Sequence, residues 1–159
     1  MQKVGFIHNP KANKNRRGKV NAERLESLVS DSGGLFRATE DPDGSLVGAV
    51  DEFYDAAVGI VVSNGGDGTF QRILSACILN KGSRALPRFA VLKSGTVNFF
   101  ANTFGLHNTP EEALYELLNR PDRDIRTFTV RTLCVNCDNA NYYGLIFAGG
   151  AVYHFILEY

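Results

Sequence analysis

The sequence has no net charge, no long hydrophobic run and only three cysteines, and each of these absences excludes a class of protein. Lysine plus arginine equals aspartate plus glutamate at 17 residues each, so a broad nucleic-acid-binding surface is not expected. Because no run reaches about 18 apolar residues, no membrane-spanning helix is predicted. The amino-terminal residues show a strand pattern instead of a secretory signal, and the cysteine count is odd, which together favour a reducing cytoplasm.

Cysteine and histidine are too scattered to predict a metal site. Cys134 and Cys137 have C-x-x-C spacing, but no second pair and no nearby histidine accompanies them, whereas structural zinc needs four ligands. The histidines at 8, 107 and 154 share no spacing and are expected in loops or as satisfied core residues. We expect the thiols to be buried or half-buried.

Apolar runs that are typical of buried strands alternate with helical patterns as far as residue 119. The strands are predicted at 4–7, 35–39, 58–62 and 89–92, and the helices at 20–29, 46–54 with Ser45 as cap, 70–78 with Thr69 as cap, and from Thr109 onward. A turn is predicted at 41–44 and a polar, basic loop at 8–18. The alternation predicts an α/β fold with a three-layer, mostly parallel sheet.

The pattern changes near residue 124, where apolar residues are interleaved with arginine and threonine. This change predicts antiparallel strands, including one at 142–148, and an apolar patch follows at 151–157. We therefore predict a first domain at 1–123 and the beginning of a β-rich second domain at 124–159. The second domain would be incomplete, so the sequence is expected to be a piece of a longer protein.

The segment Ser63-Asn64-Gly65-Gly66-Asp67-Gly68-Thr69-Phe70 joins the third predicted strand to its helix. Glycines allow close approach to an anion, and the N–H groups at a helix N-terminus attract it. Asp67 would be repelled by a phosphate unless it bound magnesium, accepted a hydroxyl hydrogen bond or took a proton, so the segment favours phosphoryl transfer. An ordinary glycine-rich turn with a solvated Asp67 is the alternative. The spacing is not that of a P-loop or a dinucleotide fingerprint.

Two further polar turns follow the first and fourth predicted strands. Because the carboxyl ends of parallel strands meet at one edge of a sheet, all three turns are expected to converge on one ligand. The first turn carries five cations in nine residues, which can form charge-assisted bonds to phosphate or remain solvated (Lys11, Lys14, Arg16, Arg17 and Lys19).

Three motifs, in this order and spacing, resemble the catalytic domain of the diacylglycerol kinase and sphingosine kinase family, which shares its fold with NAD kinases. They are Asn9-Pro10-Lys11, the segment Gly65–Thr69 and the segment Leu92-Lys93-Ser94-Gly95-Thr96-Val97-Asn98-Phe99-Phe100-Ala101. The sequence departs from the family pattern at Lys93, where the family has proline, and at Phe99, where it has an acid. The resemblance covers nearly the whole chain.

The resemblance implies that ATP and Mg²⁺ are the cofactors and that residues 1–123 form the nucleotide-binding domain. By position, the implied nucleotide-binding residues are Asn9, Lys11, Thr39, Gly65, Gly66, Gly68, Thr69, Gly95, Thr96 and Asn98. Asp67 is the implied catalytic residue, and no metal ligand is assigned. The family's general base and much of its magnesium network would lie in the second domain, beyond Tyr159, so this chain alone is expected to be inactive.

The function implied is transfer of the γ-phosphoryl group of ATP to the hydroxyl of diacylglycerol or a similar long-chain alcohol. Such a substrate implies contact with the inner membrane surface, without a transmembrane segment or nucleic acid, and a homodimer is left open. Two alternatives remain: a nucleotide-binding regulatory module without catalysis, which Phe99 motivates, and an NAD kinase, which shares Gly65–Thr69.

Overall fold

A computed structural model describes residues 2–39 and 45–145. The first compact unit, Met1–Thr127, contains four strands and six helices within the described residues. The elements are β1 (Val4–His8), α1 (Asn13–Arg16), α2 (Ala22–Asp31), β2 (Leu35–Ala38), α3 (Ser45–Asp55), β3 (Ile60–Gly65), α4 (Asp67–Asn80), β4 (Arg88–Lys93), α5 (Phe99–Thr103) and α6 (Pro110–Asn119), followed by a 3₁₀ turn at Asp122–Asp124. No helix in this part of the chain is long and apolar enough to cross a membrane.

The four strands form a parallel sheet in the order β2-β1-β3-β4. Every residue of β1 and β3 is buried, because these two inner strands are covered on both faces. On one face, Phe6 and Val62 pack with α2 and α6. On the other, Ile7 and Val61 pack with α3 and α4. The predicted α/β fold with a three-layer, mostly parallel sheet is confirmed.

The helices begin where side chains can satisfy their free N–H groups. Asn21 caps α2 by accepting a hydrogen bond from the Arg24 amide at 2.9 Å. Thr109 and Glu112 form a capping box, and α6 starts at Pro110, directly after the cap. This agrees with the helix predicted from Thr109 onward. These hydrogen bonds lower the pKa of Glu112.

Four local predictions require correction or lie at least partly outside the described residues. The basic segment at 8–18 is not only a loop, because α1 forms a single helical turn within it. The turn predicted at 41–44 and the apolar patch at 151–157 lie outside the described residues. The same holds for the end of the strand predicted at 142–148, whose observed counterpart ends at Gly144.

The second unit, Phe128–Tyr159, contains within its described residues an antiparallel hairpin of β5 (Leu133–Cys137) and β6 (Ala140–Gly144). The prediction of an antiparallel pair is confirmed, but the segment from 125 to 132 contains no strand. Cys134 and Cys137 are exposed, so the prediction of buried or half-buried thiols is wrong for both. A two-stranded hairpin has no second layer of its own to cover its faces. Cys77, on α4, is buried as expected.

Candidate functional site

The carboxyl ends of β1, β3 and β4 meet at one edge of the sheet, and hydrogen bonds join the segments that follow them. The Asn9 amide donates to the Asn64 carbonyl at 3.0 Å, and the Lys14 amide donates to the Ser94 carbonyl at 3.0 Å. The Asn15 side chain donates to the carbonyl of Asn9 at 2.7 Å. The three polar turns that the sequence singles out therefore form one connected surface.

Gly66 is the N-cap residue of α4, which begins at Asp67. The prediction that Thr69 caps this helix is wrong, because Thr69 lies inside the first turn. Its hydroxyl instead accepts a hydrogen bond from the Asn9 side-chain amide at 2.8 Å, which ties the β1 loop to α4. A Cβ on Gly65 would lie 2.5 Å from the Thr69 Oγ1 atom, so only glycine fits beneath this threonine. The N–H groups of the first turn have no partner within the helix and remain available to an anion.

The Asp67 carboxylate connects the start of α4 with the start of α5. Its two oxygens accept hydrogen bonds from the backbone amides of Phe99 at 2.9 Å and Phe100 at 3.1 Å. This carboxylate thus satisfies two free donors of α5, a role that differs from the solvated side chain of an ordinary turn. Because a carboxylate offers about four lone-pair sites, further hydrogen bonds to Asp67 remain possible.

The loop after β4 approaches α4 very closely. A Cβ on Gly95 would lie 2.4 Å from the Gly66 Cα atom, so no side chain fits at position 95, whereas a Cβ on Gly66 would lie 3.3 Å from the Gly95 Cα atom. Asn98 holds the loop in place, since its side chain accepts from the Gly95 amide and donates to the Gly95 carbonyl, both at 2.8 Å. Asn98 itself has φ 52°, in the left-handed region that asparagine tolerates. The Thr96 hydroxyl accepts from the Asn13 amide at 3.0 Å.

Two clefts flank the Gly65–Thr69 segment. One, with an empty volume of about 200 Å³, is lined by Gly65, Gly66, Asp67 and Asn98 among others. The second, of about 230 Å³, lies between α3 and α4. The second cleft brings together Asn9, Thr39 and Thr69, all three of which are implied nucleotide ligands. Lys11, Gly68, Gly95 and Thr96 line neither cleft, although Gly95 and Thr96 belong to the connected loops.

The loop after β1 carries cations that form no ion pair with an acid of the described residues. Among the described residues, Lys11, Lys14, Arg16, Arg17 and Lys19 form no salt bridge. Two amide oxygens of the same loop, Oδ1 of Asn13 and Oδ1 of Asn15, are buried without a hydrogen-bond partner. Because unpaired buried acceptors are costly, these oxygens can accept hydrogen bonds from a ligand, and the cations of the same loop can bind an anion.

A buried polar chain lies beneath the connected loops. The Asn64 side-chain amide donates to Nδ1 of His8 at 2.8 Å, and the Ser94 hydroxyl donates to Oδ1 of Asn64. His8 also stacks on Phe36. Burial lowers the pKa of His8 from its ordinary value, so the ring is neutral at pH 7 and Nδ1 can accept the hydrogen bond. The prediction that His8 is a satisfied core histidine is confirmed.

The described residues do not by themselves assemble a magnesium site. They contain no cluster of three or more histidine, cysteine, aspartate or glutamate side chains that could hold a metal ion. Asp67 is the one acid that lines either cleft, and both of its oxygens already accept backbone N–H groups. A Mg²⁺ ion held mainly through nucleotide phosphates needs only one or two protein carboxylates. At these two clefts, the described part of the chain offers one.

Sequence reasoning missed Arg72, which lines the second cleft, and the buried pair of Asn64 and Ser94. A signal for Arg72 existed, since it follows Thr69 by three residues and so lies on the same side of α4. No comparable signal marks Asn64 and Ser94, because their contact joins two strand ends that are 30 residues apart.

A parallel α/β sheet with glycine-rich loops at a helix N-terminus defines a class of proteins that bind ligands at their strand ends. Residues 3–130 match the family model described as the diacylglycerol kinase catalytic domain. The chain therefore belongs to the diacylglycerol kinase catalytic domain family.

Individual relatives agree with this assignment. A curated protein of Chromohalobacter salexigens named "Probable lipid kinase YegS-like" is 33% identical over 79 residues, which are 50% of this chain and 25% of that protein. A crystal structure of a diacylglycerol kinase from Bacillus anthracis str. Sterne has 25% identity and a TM-score of 0.54, and the match covers 74% of this chain and 42% of that one. The chain thus spans well under two thirds of the length of either relative.

Proposed function

We propose that this chain is the nucleotide-binding part of an ATP-dependent lipid kinase. The kinase would transfer the γ-phosphoryl group to the hydroxyl of diacylglycerol or a similar long-chain alcohol. The observation that supports this most directly is the connected surface at the N-terminus of α4, where the backbone at Gly95 lies too close to Gly66 for any side chain at position 95. Such a surface, formed by backbone and small side chains, suits phosphates, which need N–H donors at short range.

The phosphates are proposed to lie against the first turn of α4. Gly68 has no atom within 4 Å of its ideal Cβ position, so space is open beside this turn. The neighbouring Lys11 and Lys14 form no salt bridge within the described residues and can neutralise phosphate charge. Asn9, Thr39 and Thr69 would then contact the remainder of the nucleotide from the second cleft.

Asp67 is the proposed catalytic residue of this chain. Its carboxylate keeps unused lone pairs after bonding the amides of Phe99 and Phe100, so it can also accept a hydrogen bond from the attacking hydroxyl. Bound Mg²⁺ would supply charge neutralisation at the phosphates. The general base and most metal ligands are proposed to lie outside this chain, so residues 1–159 alone would be inactive.

The test is the Asp67→Ala variant in the complete protein, assayed against a panel of long-chain alcohols. We expect kcat to fall at least about a hundredfold, because a polar group that acts in the transition state is lost. Loss of the α5 contact should also lower the free energy of unfolding by about 1 kcal/mol. The control is Glu26→Ala, which removes an exposed acid from α2. Full activity in folded Asp67→Ala would remove Asp67 from the mechanism.

The second candidate is a nucleotide-binding regulatory module without catalysis. It is motivated by Phe99, which is 49% exposed next to Asp67 at a position where the family pattern has an acid. Calorimetric titration of MgATP separates the two proposals: binding without turnover on any lipid supports the module, and turnover excludes it. Including NAD as an acceptor in the same assay tests the NAD kinase alternative.

The proposal includes a location in the cytoplasm with transient contact at the inner membrane surface, because the acceptor is a lipid. Vesicle co-sedimentation of the complete protein tests this part. Sedimentation equilibrium of the same preparation tests whether it forms a homodimer.

A further inference from the structure

Arg72 lies at the wall of the cleft between α3 and α4. It lies in the second turn of α4 and is exposed. Among the described residues, its guanidinium forms no hydrogen bond, ion pair or ring contact, whereas Arg37, Arg84 and Arg88 each pair with an acid. Within the described part of the chain, no contact keeps this side chain from binding a ligand in the cleft.

The wall of this cleft combines apolar side chains with a few polar groups. Ile7, Leu46 and Ile73, which are almost completely buried, form its apolar wall, and the polar groups of Asn9, Thr39 and Thr69 also line it. Few polar groups on an apolar wall are typical of sites for uncharged, planar or ring-shaped parts of ligands. The cleft is small, with seven lining residues, so it suits one part of a nucleotide.

The position of Arg72 along α4 also fits a nucleotide whose phosphates and base occupy different parts of the site. Thr69 lies in the first turn, and Arg72 follows it on the same side of the helix, about 4.5 Å farther along the axis. A nucleotide with its phosphates at the helix N-terminus would extend its base along this side of α4. The apolar wall and Arg72 would then contact the base and not the phosphates.

We propose that Arg72 stacks its planar guanidinium on the purine base of the bound nucleotide and so determines affinity for the nucleoside part. This inference rests on the proposed function, because it assumes that the phosphates lie at the start of α4. Arginine binds aromatic faces through both its charge and its plane, whereas lysine offers only a compact charge. The replacement of Arg72 by lysine therefore distinguishes stacking on a base from simple attraction to phosphate.

The experiment is calorimetric titration of the complete protein with MgATP and, separately, with inorganic tripolyphosphate. We expect Arg72→Ala to weaken MgATP binding about five- to thirtyfold and to leave tripolyphosphate binding unchanged. Arg72→Lys should restore less than half of the lost affinity on a logarithmic scale. The matched control is Arg24→Ala on α2, which removes an exposed cation from a helix on the opposite face of the sheet and should change neither titration.

Each other outcome has a distinct meaning. Equal weakening of both ligands by Arg72→Ala, with full rescue by lysine, would make Arg72 a phosphate ligand and overturn stacking. Unchanged MgATP binding in Arg72→Ala would remove Arg72 from the site. If the unsubstituted protein bound neither ligand, the proposed function would fail first, and this inference with it. Circular dichroism melting verifies that each variant is folded.

Discussion

His8 shows how a single residue can make stability depend on pH. Burial lowers its pKa in the folded chain, while the unfolded chain keeps the ordinary value of 6.5. Above pH 6.5 neither state is protonated and the stabilisation is complete. As the pH falls below 6.5, the unfolded chain takes up a proton that the folded chain resists, so the free energy of unfolding decreases.

We expect this decrease in urea unfolding measured at pH 7.5, 6.5 and 5.5. The contribution of one such group can reach at most about 1.4 kcal/mol per pH unit. His8→Gln should reduce the pH dependence, whereas His107→Gln, at an exposed position, should keep it. An unreduced pH dependence in folded His8→Gln would show that other groups cause it.

At the level of elements, the contact between Gly66 and Gly95 is the one that leaves the least space between two parts of the site. It joins the N-cap of α4 to the loop after β4, and the Gly95 loop is otherwise held by Asn98. Backbone opposes backbone here, so a methyl group cannot be accommodated by a rotamer change. The two loops must separate instead.

Gly95→Ala should therefore lower the free energy of unfolding by about 1–3 kcal/mol, as overpacking does, and weaken nucleotide binding as well. Gly48→Ala is the matched control, because Gly48 lies within α3 and its ideal Cβ position meets no atom within 4 Å. That control should be neutral or stabilising by up to about 1 kcal/mol, since alanine favours helix. Thermal melting of both variants gives the comparison, and equal behaviour would contradict the overpacking argument.

At the level of elements, the sequence predicted what depends on local pattern. The four strands, the helix that starts after Thr109 and the helix after Gly66 follow from apolar periodicity and from cap and turn residues. The partners of Asp67 could not be predicted, because they belong to amides 32 and 33 residues away. The same reason explains Thr69: a threonine after glycine is typical of a cap, but only the fold shows that the Asn9 amide reaches its hydroxyl.

At the level of the whole molecule, the two compact units differ in how they protect their thiols. Cys77 is buried in the core between α3, α4 and the sheet, and burial raises its pKa to about 12. Cys134 and Cys137 are exposed on β5. The sequence could not reveal this difference, since thiol exposure depends on whether another layer covers the strand.

The test is reaction of the 159-residue chain with an aromatic disulfide reagent at pH 8. We expect Cys134 and Cys137 to react in a fast first phase. Cys77 should react only on unfolding, since a buried thiol forms little thiolate. Cys77→Ala should leave the fast phase intact, and Cys134→Ser should halve it. A single fast thiol in the folded chain would contradict the exposure of one hairpin cysteine.

The pairing of β1 affects how the chain folds during its synthesis on the ribosome. β1 is an inner strand whose second neighbour is β3, although β2 and three helices are synthesised between them. At roughly 5–20 residues per second, several seconds pass before Ile60–Gly65 emerges. Throughout that interval one edge of β1, which contains Phe6 and Ile7, is unpaired. Nascent chains halted before residue 65 should therefore bind ribosome-associated chaperones, and chains halted beyond β4 should not.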